Sequence, residues 1–287
     1  MIFTEDQQNN LIKIQQAELK ILDEISRICQ KHNLKYFLTG GTLLGAVRHK
    51  GFIPWDDDVD IDFLAEDYHK LIKILPNELS DDFELIKYSE HNGFFCDFFS
   101  RVYYKNSSLK TRFSSDNGDT NFGNDQKMNR IFIDLYCLCD TNRKDVYKQI
   151  FFIKIIYGLA MGHRYNPKPY NCYPPMQKAQ VALLSNIGKK IPIEKIFKMY
   201  EKCSDLASQK SDGTLFKPCV PIPVQTRNIL KKEWFQDSIP VPFDNRIVNI
   251  PCGYENLLST YYSDWKILPP EEDRHPGHFF LDEVEIW

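Results

Sequence analysis

Apolar residues at Leu11, Ile14, Ile21, Leu22, Ile25 and Ile28 recur at helical spacing behind Thr4 and Gln7, a pair that reads as a capping box. The pattern predicts a helix ending near His32 and packed against a sheet. A short apolar strand over 34–38 then leads into a Gly40-Gly41-Thr42 loop, a short helix over 43–48 and a turn at His49-Lys50-Gly51. After Pro54 and Trp55 the pattern changes to strict alternation. In the run DDDVDIDF, Asp58, Asp60 and Asp62 share one face of a strand while Val59, Ile61 and Phe63 share the other. One face belongs to a core and the other is a row of carboxylates.

Further along, a helix over 65–75 is expected to stop at Pro76. Residues 94–104 read as a strand with Asp97, Phe99 and Arg101 on one face and Cys96, Phe98 and Val102 on the other. The polar stretch 106–129 reads as a mobile loop and a candidate lid. Residues 130–138 form a second strong strand pattern, with Ile131, Ile133, Leu135 and Cys137 on the apolar face and Asp134 opposite, between Phe132 and Tyr136. The most apolar run, 146–161, is interrupted by Lys148 and Lys154 and falls short of the roughly 20 residues that span a bilayer. It reads as a buried helix, with a helix on a membrane surface or at a dimer contact as the competing reading. A loop over 166–175, helices over 176–189 and 193–208, a Pro-rich passage over 217–223, a strand over 246–250 and a helix over 253–262 complete the pattern. The expectation is an α+β fold in three parts: a core over 1–142, a helical insert over 143–210, and a C-terminal part over 211–287 that completes the core.

A chain of 287 residues with 43% hydrophobic residues can bury a full core. Its net charge of −3 gives no electrostatic footprint for nucleic acid, so none is expected as a partner. The N-terminal residues are polar and acidic, unlike a signal peptide, which points to the cytoplasm. Eight scattered cysteines without a Cys-x-x-Cys pair favour reduced, buried thiols over zinc or disulfides.

Three readings of the aspartate run compete. A solvated acidic edge strand leaves the burial demanded by Val59, Ile61 and Phe63 unexplained. A calcium loop has Asp56, Asp58 and Asp60 at the right spacing but Ile61 where a Gly is needed and Asp67 where a bidentate Glu is needed. The third is a catalytic metal strand. Same-face carboxylates about 6.5–7 Å apart along the backbone can converge on one hard cation, Mg²⁺ or Mn²⁺. A Gly-rich turn opening a helix, here Gly40, Gly41 and Thr42, offers backbone N–H groups to a phosphate on the other side of that cation. Arg101 is a candidate phosphate contact, against the plainer reading of a strand charge paired with Asp97. Arg274, His275 and His278 are candidates for donor phosphates or proton transfer, against the reading of a surface loop.

The stretch Gly40 to Arg48, with its Gly-Gly-Thr and Leu-Leu-Gly-Ala-x-Arg, and the Pro-Trp-Asp-x-Asp-x-Asp that begins at Pro54 resemble the signature of the LicD family. That family includes bacterial phosphocholine transferases and, more distantly, the animal fukutin-related ribitol-phosphate transferase. The Leu-Pro-Pro turn in DWKILPPEEDRHPGH is similar to the family as well. The resemblance implies a polymerase-beta-like nucleotidyltransferase fold, a mixed sheet flanked by helices. It implies metal ligation by Asp58 and Asp60 with Asp56 close by, and a third catalytic carboxylate at Asp134, as ligand or as proton acceptor. Arg48 belongs to the same signature and is expected on the donor side.

The implied reaction is attack by a glycan hydroxyl on a CDP-linked alcohol, releasing CMP and leaving a phosphodiester. The acceptor is a cell-surface glycan or a lipid-linked precursor such as lipopolysaccharide, teichoic acid or capsule, with a peripheral contact at the inner leaflet left open. Phosphocholine is the first expectation for the transferred group because it is the commonest theme in the family the chain resembles, while ribitol phosphate, glycerol phosphate or phosphoethanolamine would use the same catalytic strand. A quaternary ammonium would want aromatic faces. Trp55, Phe94, Phe95, Tyr103, Tyr104, Tyr157, Tyr165, Tyr170 and Tyr173 are available. Two alternatives stand beside it: nucleotidyl transfer from an NTP, and a non-catalytic nucleotide-binding module.

Overall fold

The computed structural model describes residues 3–90, 95, 97–111, 129–164, 175–206, 208–219, 229–262, 264–277 and 279–287. His278, Phe94, Cys96, Cys172, Tyr165, Tyr170 and Tyr173, most of the loops expected over 106–129 and 166–175, and the end of the Pro-rich passage lie outside them.

Helix α1 (Glu5–Lys31) opens on the expected capping box, with the Thr4 side chain accepting from Gln7 N and Gln7 answering at Thr4 N. A two-residue strand, β1 (Phe37–Leu38), feeds α2 (Gly40–Arg48), so the Gly-Gly-Thr segment is the first turn of the helix and not a loop before it. Strand β2 (Asp60–Leu64) is shorter than its alternation predicts, and Asp56 to Asp58 lie in the irregular segment before it. Helix α3 (Ala65–Glu78) runs through Pro76. There the proline sits in the last turn, where it forfeits only its own N–H. Buried Leu75 anchors the turn, Leu79 N donates to Leu75 O, and Lys31 pairs with Glu78.

Strand β3 (Phe83–Ile86) was not legible in the pattern, and β4 (Ser100–Tyr104) takes only the end of the expected 94–104 strand. Strand β5 (Ser107–Thr111) lies inside the expected loop. The long β6 (Phe132–Thr141) is followed by α4 (Val146–Ala160), α5 (Pro175–Gly188) and α6 (Ile193–Ser204). The chain returns through β7 (Thr214–Phe216), β8 (Ile229–Lys231), the hairpin β9 (Ser238–Phe243) and β10 (Arg246–Pro251), α7 (Tyr254–Tyr261) and β11 (Phe279–Ile286).

The central sheet has the order β1-β2-β6-β4-β3, with β7 and β8 added at the far end of β6. β2 and β6 are parallel and the other pairs antiparallel, so the fold is α+β around a mixed sheet. β9 pairs with β10 and β5 with β11 in two small outlying sheets. Apolar side chains divide into two clusters. One joins α1, α2 and α3 to the central sheet and to α7. The other gathers Phe95, Phe98 and Phe99 with α4, α6, Phe216 and Cys219. Among the described residues no helix is long and apolar enough to cross a membrane.

Candidate active site

Sheet register sets the site. Asp60 on β2 is the cross-strand partner of Asp134 on β6, and Asp134 is the partner of Arg101 on β4. Strands about 4.8 Å apart therefore carry Asp60, Asp134 and Arg101 in one transverse row. Arg101 is 4% exposed; its Nε donates to Asp134 Oδ1 at 2.7 Å, and its guanidinium lies over the Phe132 ring at 4.1 Å. Tyr136 donates its hydroxyl to Asp134 Oδ2 at 3.2 Å. Burial opposes the charge on Arg101, and Asp134 overrides it, holding the guanidinium firmly protonated. The sequence left Arg101 between a phosphate and Asp97; its partner is Asp134.

The start of α2 packs under the carboxylates. Gly40 has φ of +57°, and a Cβ there would stand 2.8 Å from Asp60 Oδ2; a Cβ on Gly41 would stand 2.9 Å from Asp56 Oδ2. The two glycines thus let the aspartates approach the positive end of the helix. Thr42 Oγ1 accepts from Asp60 N at 2.9 Å and fixes where β2 begins.

Like charges crowd this corner. Asp58 bears directly on the Asp56 carboxyl, and such a pair of acids favours a shared proton or a cation between them. Burial, then the charges of Asp58, Asp57 and Asp60, push the Asp56 carboxyl well above its usual range. Asp56 Oδ2 is buried without a hydrogen-bond partner. Glu18, one turn along α1 from Gln15, which donates to Asp56 O at 2.9 Å, is fully buried with both oxygens unpartnered. Burial, followed by Asp58, Asp57, Asp56 and Asp60, raises its carboxyl strongly. Tyr262 is pushed up by burial and by Asp56, Asp60 and Asp58. Such a set of oxygens fits a hard divalent cation. Among the described residues, no group of three or more His, Cys, Asp or Glu side chains converges in ligating geometry.

The other aspartates of the run have structural partners. Asp57 is 1% exposed and accepts from Gly277 N at 2.8 Å and Phe279 N at 2.7 Å, tying the C-terminal segment to the site. Asp62, read from the alternation as one of an open carboxylate row, is fully buried and pairs with Lys217 at 2.6 Å. Lys217 also donates to Thr39, the residue capping α2, and Asp62 holds its ammonium charged against the burial that opposes it. Arg48 donates to Trp265 O and Ile267 O at 3.0 and 3.2 Å, so its guanidinium staples the C-terminal segment to α2. Arg274 donates to Pro269 O and lies over the Trp55 ring at 5.5 Å; His275 is exposed. Of the described aromatics considered for an ammonium group, Phe95, Tyr103, Tyr104 and Tyr157 are buried and Trp55 is half-buried.

The glycines expected in a loop thus open the helix itself, close under Asp56 and Asp60. Residues 33–154 match the family described as LicD/FKTN/FKRP, nucleotidyltransferase domain. That stretch, somewhat under half of the chain, is similar to the LicD family. The chain is 25% identical over 268 residues to the lipopolysaccharide cholinephosphotransferase LicD of Haemophilus influenzae, a match covering 91% of this chain and 92% of that protein. The human ribitol 5-phosphate transferase FKRP is 29% identical over 113 residues, covering 33% of this chain and 22% of its own. An uncharacterized protein of Rickettsia prowazekii is 47% identical over 57 residues, covering 20% of this chain and 21% of its own. The LicD-matched segment contains the Asp60, Asp134 and Arg101 row and both glycines. Glu18, Lys217 and Arg274 reach the site from outside it.

Proposed function

We propose that this protein is a phosphotransferase that moves a phospho-alcohol, phosphocholine in the first instance, from a CDP-linked donor to a glycan hydroxyl and releases CMP. The observation that carries the reading is the packing of Asp56 and Asp60 against Gly41 and Gly40 at the start of α2, in a chain similar to a cholinephosphotransferase along nearly its whole length. Asp56, Asp58 and Asp60 would hold Mg²⁺ or Mn²⁺, whose charge would offset that building on the phosphoryl oxygens and the departing CMP. The N–H groups at the start of α2 orient the donor phosphates. Arg101, fixed by Asp134, supplies positive charge at the end of the row. Asp134 stands beside Asp60 and is our candidate for accepting the proton of the attacking hydroxyl. Arg274 on Trp55, with His275, is assigned to the donor side, as is His278 on its sequence alone, while Arg48 acts by holding that segment in place. The three parts of the chain, over 1–142, 143–210 and 211–287, are proposed as catalytic core, helical insert and completing segment.

The test is release of CMP from CDP-choline, CDP-ribitol, CDP-glycerol and CDP-ethanolamine, with Mg²⁺ and with a chelator. CMP from CDP-choline alone, abolished by the chelator, is expected. Turnover of another CDP-alcohol would reassign the transferred group, and pyrophosphate release from an NTP without any CMP would replace the reading with nucleotidyl transfer.

A further inference from the structure

The net charge of −3 conceals a strong asymmetry. Residues 146–190, which include α4 and α5, contain seven Lys and Arg and no Asp or Glu, so the rest of the chain carries −10. The apolar run that the sequence assigned to a buried helix is also only half buried. One side of α4 (Val146, Ile150, Ile153, Ile156) packs into the second apolar cluster. On the opposite side Tyr147 is 60% exposed, Phe151 59% and Phe152 48%, with Lys148 and Lys154 exposed among them. Tyr147 and Phe151 are one turn apart, and the Phe151 and Phe152 rings touch edge to face at 5.6 Å. Helix α5 packs alongside, Leu184 against Gly158, and adds exposed Met176, Leu183 and Ile187.

Three solvent-facing aromatics on consecutive turns are not explained by folding, since burying them elsewhere would have stabilised the chain. We propose that this face of α4, extended by α5, docks on the surface of an anionic phospholipid bilayer. Aromatic rings in the headgroup layer with lysines beside them, their stems apolar and their tips charged, form the composition of an interfacial helix. The excess of positive charge meets the negative surface potential of such a leaflet, and it disfavours the pairing of two copies of this chain through the same basic face. The docking requires neither donor nor acceptor, so it stands or falls apart from the transferase reading.

The test is co-sedimentation of the full chain with vesicles of phosphatidylcholine mixed with phosphatidylglycerol, and with vesicles of phosphatidylcholine alone. Wild type is expected to sediment with the mixed vesicles, more weakly as salt rises, and to stay in solution with the neutral ones. The triple variant Tyr147→Ser/Phe151→Ser/Phe152→Ser and the charge reversal Lys148→Glu/Lys154→Glu should each bind the mixed vesicles about tenfold or more weakly. Unchanged thermal unfolding of both, and Phe151→Ser as a milder variant, separate lost docking from lost folding. Wild type that ignores both vesicles, or variants that bind as well as wild type, would overturn the proposal. So would a wild-type dimer in light scattering that the triple variant abolishes without any vesicle binding, which would make this face a contact between copies.

Discussion

The aspartate corner and the α4–α5 face handle charge in opposite ways. At the first, acidic side chains crowd together inside the protein: Asp57 caps two backbone N–H groups, Asp62 holds Lys217, Asp134 holds Arg101, and Asp56 and Glu18 are left with buried oxygens that no described residue satisfies. At the second, aromatic side chains stand in solvent beside exposed lysines, of which Lys148 pairs with Asp145 at 3.4 Å. Buried groups left incomplete and exposed groups left unburied carry the same lesson: among the described residues a partner is missing. On the reading proposed above, the corner would take a cation and a phosphate, and the helices an acidic, partly apolar surface.

The sharpest way to separate the two regions is to remove charge from the corner. Asp60→Asn should lower metal-dependent CMP release by about 10²–10⁴-fold while leaving vesicle binding and thermal unfolding near wild type; equal turnover in the variant would take the carboxylate row out of the chemistry. Structural and catalytic acids in the same run should also part. Lys217→Ala leaves Asp62 buried and unpaired and should cost about 3–5 kcal/mol in denaturant unfolding, whereas the paired change Lys217→Met/Asp62→Leu should recover most of that loss.

These pairings also mark the limit of what the chain reveals before it folds. The glycines, the aspartates and the α1 capping box were legible because their chemistry is local, within a turn or an alternating strand. Arg101 with Asp134 and Lys217 with Asp62 were not, because sheet register and a distant return of the chain bring them together. Strand β9, SIPVPF, was hidden by two prolines that are tolerated because, among the described residues, it pairs only with β10. The alternation in DDDVDIDF correctly buried Val59, Ile61 and Phe63, yet it gave no means of telling Asp62, inside the fold, from Asp58 and Asp60 at its edge. Net charge, summed over the whole chain, erased the basic helices.

Smaller effects sharpen the comparison further. Gly40→Ala places a Cβ against Asp60 at a positive φ and should cost about 1–2 kcal/mol, with a loss of turnover larger than its loss of stability. For Glu18 the sign follows from its raised carboxyl. As pH rises through the ordinary glutamate range the unfolded chain releases this proton and the folded chain keeps it, so folding weakens with pH by up to about 1.4 kcal/mol per pH unit until the folded group ionises. In chelator-treated protein, Glu18→Gln should therefore gain stability over wild type as pH is raised from acid to neutral, and an unchanged difference would place Glu18 outside the charged cluster. On the helices, Phe151→Ser should alter stability by no more than about 0.5 kcal/mol, because its ring is exposed.

The measurement that bears most directly on the corner is calorimetric titration of Mn²⁺ into the chelator-stripped protein, into Asp58→Asn/Asp60→Asn, and into Lys148→Glu/Lys154→Glu. Binding by wild type and by the helix variant, lost in the aspartate variant, is the predicted result. Equal Mn²⁺ binding by the aspartate variant, or none by wild type with or without a CDP-alcohol, would contradict a cation-assisted phosphotransferase at this site.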